Sequence, residues 1–202
     1  MRVFEIFLSI QGEGKGQGYP CSFVRFAGCN LNCSWCDTPE ARGNGIEMSK
    51  ESIFRELMSL NCFRVCITGG EPLIQEEELS PLLKLLKENN FKIEIETNGT
   101  MDFRPFQEYA SICMDVKCPS SGEKSDLSLL NQISENDTVK FVVEDNPDLK
   151  YAGEILKNHQ ISGEVFFSPV EGSDVLNIAE YIISNSLDAR VQLQIHKFIG
   201  VK

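Results

Sequence analysis

An α/β fold built on a mostly parallel sheet, a barrel or part of one, is what this 202-residue chain predicts. Three observations carry that expectation. Short β-branched and aromatic runs alternate with amphipathic stretches, the alternation repeats about six times, and polar residues gather just after the apolar runs. The runs place strands at 2–7, 22–26, 64–67, 91–95, 112–116, 138–143, 165–167 and 191–195. Between them, Ser49 is suited to cap a helix that buries Ile53, Phe54, Leu57 and Met58. A second helix, 76–89, carries the stripe Leu79, Leu82, Leu83 and Leu86 and stops at Asn89-Asn90. Its Glu76-Glu77-Glu78 opening is a solvated first turn favoured by the helix dipole. Weaker patterns place helices over 148–159 and 173–186. With no repeat, low-complexity tract or long linker, residues 1–202 are expected to form one domain.

The polar residues behind each strand are the functional signal. Arg25 and Cys29 close the second strand, Thr68-Gly69-Gly70-Glu71-Pro72 follows Ile67, and Glu96-Thr97-Asn98 follows Ile95. Lys117 follows Val116, Ser168-Pro169 follows Phe167, and His196 follows Ile195. In a parallel barrel these strand ends share one rim, where such folds do their chemistry.

Nineteen Lys and Arg against thirty Asp and Glu give a net charge of −11, the wrong sign for wrapping a phosphate backbone, so no nucleic-acid partner is expected. No apolar run reaches the ~18 residues of a membrane span, and the first residues lack a signal-peptide core. A cytoplasmic protein without a membrane partner is expected. Its cysteines are then reduced.

Of eight cysteines, three fall within Cys29-Asn-Leu-Asn-Cys33-Ser-Trp-Cys36. Three thiols with no histidine nearby are one short of structural zinc. An iron–sulfur cube can leave its fourth iron open to an outside ligand, and these spacings suit a tight loop around one cube. Cys62, Cys66, Cys113 and Cys118 do not form a compact ligand set, and Cys66 and Cys113 read as buried small hydrophobes. The Gly12–Gly18 stretch fails the P-loop pattern because Gly16 follows Lys15, and it reads as a lid. Arg25, set in an apolar strand, needs a carboxylate partner: Glu13, Asp37 or the substrate.

Cys29-x3-Cys33-x2-Cys36 resembles the signature of radical S-adenosylmethionine enzymes, and Thr68-Gly69-Gly70-Glu71-Pro72 is similar to their second motif. Together with Phe7-Leu8-Ser9-Ile10-Gln11-Gly12-Glu13-Gly14, the Arg25-to-Cys29 segment, Trp35-Cys36-Asp37-Thr38 and Gln194-Ile195-His196-Lys197, they resemble the 7-carboxy-7-deazaguanine synthase family over nearly the whole chain. The resemblance implies a trimmed, partial (β/α)6 barrel and a lyase that is also magnesium-dependent. Such enzymes convert 6-carboxy-5,6,7,8-tetrahydropterin to 7-carboxy-7-deazaguanine with loss of ammonia, toward queuosine and archaeosine in transfer RNA. A deoxyadenosyl radical takes hydrogen from the pterin C6 and returns it after ring contraction, so S-adenosylmethionine is regenerated.

By the same resemblance, Cys29, Cys33 and Cys36 hold a [4Fe–4S] cluster. S-adenosylmethionine lies against Trp35, Asp37, Gly70, Glu96, Asn98, Asp115, Val116, Lys117, Ser168, Pro169, Val170 and Glu171. Ile10, Gln11, Gly12, Arg25, Thr68, His196 and the terminal carboxylate of Lys202 bind substrate, and Thr38 ligates Mg2+. A flavodoxin- or ferredoxin-like one-electron donor and a homodimer are implied. Either Glu71 or Glu96 suits an ammonium or hydroxyl donor. Asp115-Val116-Lys117 stands where relatives often have Ser-Pro-Lys, and Lys202 where they often end in proline. Two other functions share the three-cysteine loop: an activase of glycyl-radical enzymes, and a metal-binding module without catalysis. The first lacks a reason for Gln11–Gly14 and Asp37-Thr38; the second leaves the polar rim unexplained.

Overall fold

The computed structural model describes residues 1–202 and holds one nine-stranded sheet. In chain order the elements are β1 (Arg2–Ile10), β2 (Pro20–Phe26), β3 (Ile46–Glu47), α1 (Lys50–Ser59), β4 (Arg64–Gly69), α2 (Glu76–Glu88), β5 (Lys92–Thr97), β6 (Ser111–Val116), β7 (Thr138–Val143), α3 (Asn146–Asn158), β8 (Glu164–Pro169), α4 (Val175–Ser184), β9 (Arg190–Val191) and α5 (Ile195–Ile199). The sheet order is β3-β1-β2-β4-β5-β6-β7-β8-β9. Every pair from β2 to β9 is parallel, while β1 runs antiparallel to β2 and β3. Its edges do not pair, so the sheet is a partial barrel. No helix is long and apolar enough to cross a membrane.

Side chains alternate across a strand, and that alternation builds both the core and the site. Val65 and Ile67, Ile93 and Ile95, Ile112, Met114 and Val116, Val139 and Phe141, and Val165 and Phe167 face the helices in one apolar cluster. Thr68, Glu96, Asp115, Lys140 and Ser168 belong to the opposite set and line the barrel's cavity. Helix α2 seals the outer face with Leu79, Leu82, Leu83 and Leu86, all fully buried; each contributes roughly 1.5–3 kcal/mol by burial. Ser49 caps α1 by accepting from the Ser52 amide at 3.2 Å.

Three expectations change. Met58 is 41% exposed, because α1 turns only Ile53 and Leu57 fully inward. The expected last strand is two residues of β9 followed by α5, so His196 sits in a helix and not at a strand end. Only Arg190 and Val191 find a partner strand, opposite Phe166 and Phe167. The strands also run further than the apolar runs: Thr68, Glu96, Ser168 and Pro169 lie within the last two residues of their strands.

Candidate active site

A cavity of about 480 Å³ opens at the C-terminal ends of the parallel strands. The three clustered cysteines lie on the loop after β2 and all line it, free and partly exposed. That loop is docked on the short 3-10 turn Pro119–Ser121 behind β6. The Ser34 amide donates to the Ser121 carbonyl at 3.0 Å, and the Trp35 indole donates to Ser120 Oγ at 2.9 Å. Arg42 donates to the Cys33 carbonyl at 2.9 Å and lies against the Cys36 thiol. Lys117 Nζ sits 5.4 Å from the centre of the Trp35 ring. Burial pushes the Cys33 thiol up, and Lys117 pulls it down. Three open thiols backed by two cations fit a cluster of thiolate ligands, whose negative charge needs that offset.

The glycine turn after β4 packs on this loop. A Cβ at Gly70 would lie 2.0 Å from the Gly28 carbonyl oxygen, so only glycine allows the approach. Glu71 does not face the cavity. Its carboxylate accepts from the Leu73 amide, the Thr97 hydroxyl and the Asn98 amide, tying β4 to β5. Burial pushes it up to about 7 despite those donors. Of the two carboxylates expected to receive donors in the site, Glu96 alone lines the cavity; Thr68 Oγ1 donates to it at 2.9 Å. Asn98 reaches toward the cysteines, its amide nitrogen 4.0 Å from Cys29 Sγ. Ser168 Oγ is buried on the wall without a hydrogen-bond partner, which suits a polar ligand group.

The other wall holds Phe7, Ile10, Gln11, Gly12, Phe23, Arg25 and Lys202. Arg25 finds a partner outside the three expected: its Nε donates to Glu5 at 2.9 Å. The antiparallel register sets Glu5 opposite Arg25 across β1 and β2. Glu5 also accepts from Lys202 Nζ, and the Lys202 main-chain oxygen accepts from Ser9 Oγ at 2.6 Å. His196 lies over Gly12, where a Cβ would come within 1.8 Å of its Nδ1. Burial lowers its basicity, leaving a neutral imidazole at neutral pH. The stretch after β1 is tied down: Gln192 accepts from the Gly14 amide at 2.8 Å and donates back to its carbonyl at 3.0 Å.

Two expected site positions, Val116 and Thr38, stand apart. Val116 turns its side chain into the apolar core, leaving only main chain toward the site. Thr38 is outside the cavity wall, its hydroxyl donating to Asp37 at 3.1 Å, though Asp37 lines the wall. Glu171 faces Lys197 at 3.4 Å on the rim beside Pro169 and Val170. Cys66, expected as a small hydrophobe, is buried but shares a neighbourhood with the Glu94 and Glu96 carboxylates.

Sequence reasoning passed over Lys140 and Glu94, and weighed Glu13 only as a partner for Arg25, whereas it pairs with Lys140. Lys140 lies in the cavity wall between Glu13 and Asp115, 3.0 Å from the latter, while Asp115 also pairs with Lys117 at 3.1 Å. A lone lysine inside the apolar run Thr-Val-Lys-Phe-Val-Val was the available signal, since a buried charge needs partners.

A three-cysteine loop beside a glycine turn, at the C-terminal rim of a partial parallel barrel, defines a radical S-adenosylmethionine enzyme. Residues 23–119 match the family described as the Radical SAM superfamily. The chain is 48% identical over 201 residues to 7-carboxy-7-deazaguanine synthase of Methanospirillum hungatei, covering 100% of this chain and 86% of that one. It is 36% identical over 218 residues to the synthase of Koribacter versatilis, covering 98% and 96%. Among solved structures, QueE from Escherichia coli superposes with a TM-score of 0.75 at 23% identity, over 96% of this chain and 93% of the other, a likeness of fold. This chain belongs to the 7-carboxy-7-deazaguanine synthase family, lyases whose cofactors are a [4Fe–4S] cluster, S-adenosylmethionine and Mg2+.

Proposed function

We propose that this chain, acting as one domain, contracts 6-carboxy-5,6,7,8-tetrahydropterin to 7-carboxy-7-deazaguanine with release of ammonia, for queuosine or archaeosine synthesis. The observation that carries this reading is that the three thiols and Arg25 open onto one cavity sized for a bicyclic substrate beside a nucleoside. When bound, the cluster and S-adenosylmethionine supply the radical that takes and returns hydrogen at the pterin C6.

Cys29, Cys33 and Cys36 hold the cluster. Gly70, Asn98, the main chain at Val116, Trp35, Asp37, Glu96, Asp115, Lys117 and the 168–171 segment orient S-adenosylmethionine. Arg25 keeps guanidinium nitrogens beyond the Nε bonded to Glu5, and these suit a substrate carboxylate. Thr68, Gln11, Ile10 and Gly12 line the pterin's place, and His196 offers a neutral ring nitrogen for a hydrogen bond or a proton. Lys202 lies over β1, its main-chain oxygen accepting from Ser9 Oγ and its ammonium on Glu5, at the edge of that wall. Thr38 and Asp37 give Mg2+ a hydroxyl and a carboxylate at the rim. An external one-electron donor, a homodimer and a cytoplasmic setting complete the proposal. Neither an activase nor a non-catalytic metal module explains Arg25, Thr68 and His196 together.

Anaerobically reconstituted protein with reductant, S-adenosylmethionine, Mg2+ and the pterin is expected to form deazapurine and ammonia in equal amounts. Stoichiometric consumption of S-adenosylmethionine without deazapurine overturns the assignment. Cys33→Ala is expected to lose the cluster's brown absorbance and all turnover.

A further inference from the structure

The wall between the cofactor and substrate halves of the cavity is a chain of buried charges. Glu13 accepts from Gln194 and from Lys140; Lys140 lies 3.0 Å from Asp115; Asp115 pairs with Lys117, whose ammonium faces the Trp35 ring. Lys140 is 5% exposed and comes from β7, Asp115 from β6, and Glu13 from the stretch after β1. Two carboxylates and two ammonium groups leave the set neutral. Removing one member leaves an unbalanced charge out of water, which costs far more than an exposed pair ever contributes. Lys140 is the only member that touches both a substrate-wall carboxylate and a cofactor-wall carboxylate.

We propose that Lys140 is a positioning residue that couples the two walls, holding Glu13 toward the pterin and Asp115 toward S-adenosylmethionine, so that loss of its charge weakens the binding of both. The proposal rests on the functional reading above for the identity of the two ligands. With Lys140 neutral, Glu13 and Asp115 retain one ammonium between them, and the uncompensated Glu13 carboxylate repels Asp115 from its place beside the cofactor. Withdrawing Glu13's charge together with that of Lys140 leaves Asp115 and Lys117 as a balanced pair.

The test uses the reconstituted full chain as wild type, K140M, K140R and E13Q/K140M, with S-adenosylmethionine affinity measured by calorimetry without pterin and KM measured for the pterin. K140M is expected to raise both constants about tenfold, and K140R to keep both within about threefold of wild type. E13Q/K140M is expected to recover the S-adenosylmethionine affinity while the pterin KM stays raised, a split that general loosening of the fold does not produce. K140M that leaves either constant unchanged, or E13Q/K140M that fails to recover cofactor affinity, overturns the coupling. If K140M does not load its cluster, the charge-balanced E13Q/K140M decides by the same criterion. Wild type that binds S-adenosylmethionine yet forms no deazapurine overturns the functional reading alone, because the S-adenosylmethionine titrations of K140M and E13Q/K140M still judge Lys140.

Discussion

Position 70 shows how small a group the site depends on. Gly70 donates its amide to the Phe26 carbonyl at 3.1 Å, and the next residue, Glu71, donates to the Gly28 carbonyl at 2.8 Å, so the β4 turn is stitched to the loop that carries Cys29. A methyl at Gly70 would collide with backbone, which cannot swing aside as a side chain does. Gly70→Ala is therefore expected to push the cysteine loop off the turn and weaken S-adenosylmethionine binding by about tenfold or more, at a stability cost of about 1–3 kcal/mol. Calorimetry on the reconstituted variant, with its melting curve, checks both; unchanged affinity removes Gly70 from the cofactor wall. Single residues also mark where sequence reasoning stopped. The need of Arg25 for a carboxylate was legible from its apolar strand, but the partner was not, because Glu5 is reached only through an antiparallel pairing that a run of parallel-strand signals hides. Glu71 was legible as a carboxylate near the rim. Its inward turn, onto three donors of β5 and its own loop, depends on geometry that no spacing encodes.

Elements carry the next level of order. The cysteine loop has no regular structure before the 3-10 turn Pro39–Arg42, so its shape is borrowed from what it rests on. That support is the turn behind β6, and the turn in turn hangs on Asp148 in the first turn of α3. The Asp148 carboxylate accepts from the Ser120 amide at 2.9 Å, from the Ser120 hydroxyl and from the Glu144 amide at 2.9 Å, fully buried. Ser120 is the residue that receives the Trp35 indole. Asp148→Ala strands these donors, and an unsatisfied buried polar group costs about 1–3 kcal/mol. The variant is expected to melt lower and to lose reconstituted iron faster in air, while its sheet content by circular dichroism stays that of wild type. Iron retention equal to wild type would separate α3 from the cluster. Helix α3 itself was legible from its apolar stripe, though it begins earlier than expected because Asp145, accepting from the Asp148 amide at 3.0 Å, is the cap. Helix α5 was not legible. The strand pattern of Val191–Ile195 matches a β run, but β9 stops at Val191 and Gln192 is drawn away to Gly14.

At the scale of the whole molecule, a group of carboxylates inside the barrel departs from the usual rule that carboxylates face water. The inward faces of β5 and β6 and the stretch after β1 bring Glu13, Glu94, Glu96 and Asp115 into the barrel, where Lys140 and Lys117 are committed to Glu13 and Asp115. Glu94 is left with the Gln11 amide, which donates to it at 2.8 Å, and with Glu96 for a neighbour. Burial first and Glu96 second push Glu94 up to about 7, and burial likewise raises Glu96. A carboxyl whose folded value exceeds its unfolded one binds more protons in the native state across the interval between them. Stability then falls as pH rises from about 4.5 toward 7, and the cost stays in place above that. A rise of that size corresponds to at most about 3 kcal/mol, and relaxation around the ionised group reduces it to about 1–2 kcal/mol. Glu94→Gln keeps an oxygen for the Gln11 donor and removes the charge. The variant is expected to match wild type near pH 5 and to melt a few degrees higher at pH 8, giving a flatter curve of melting temperature against pH under anaerobic conditions. Parallel curves for the two proteins would show that Glu94 keeps an ordinary carboxyl value, and that the barrel interior admits more water than its packing indicates.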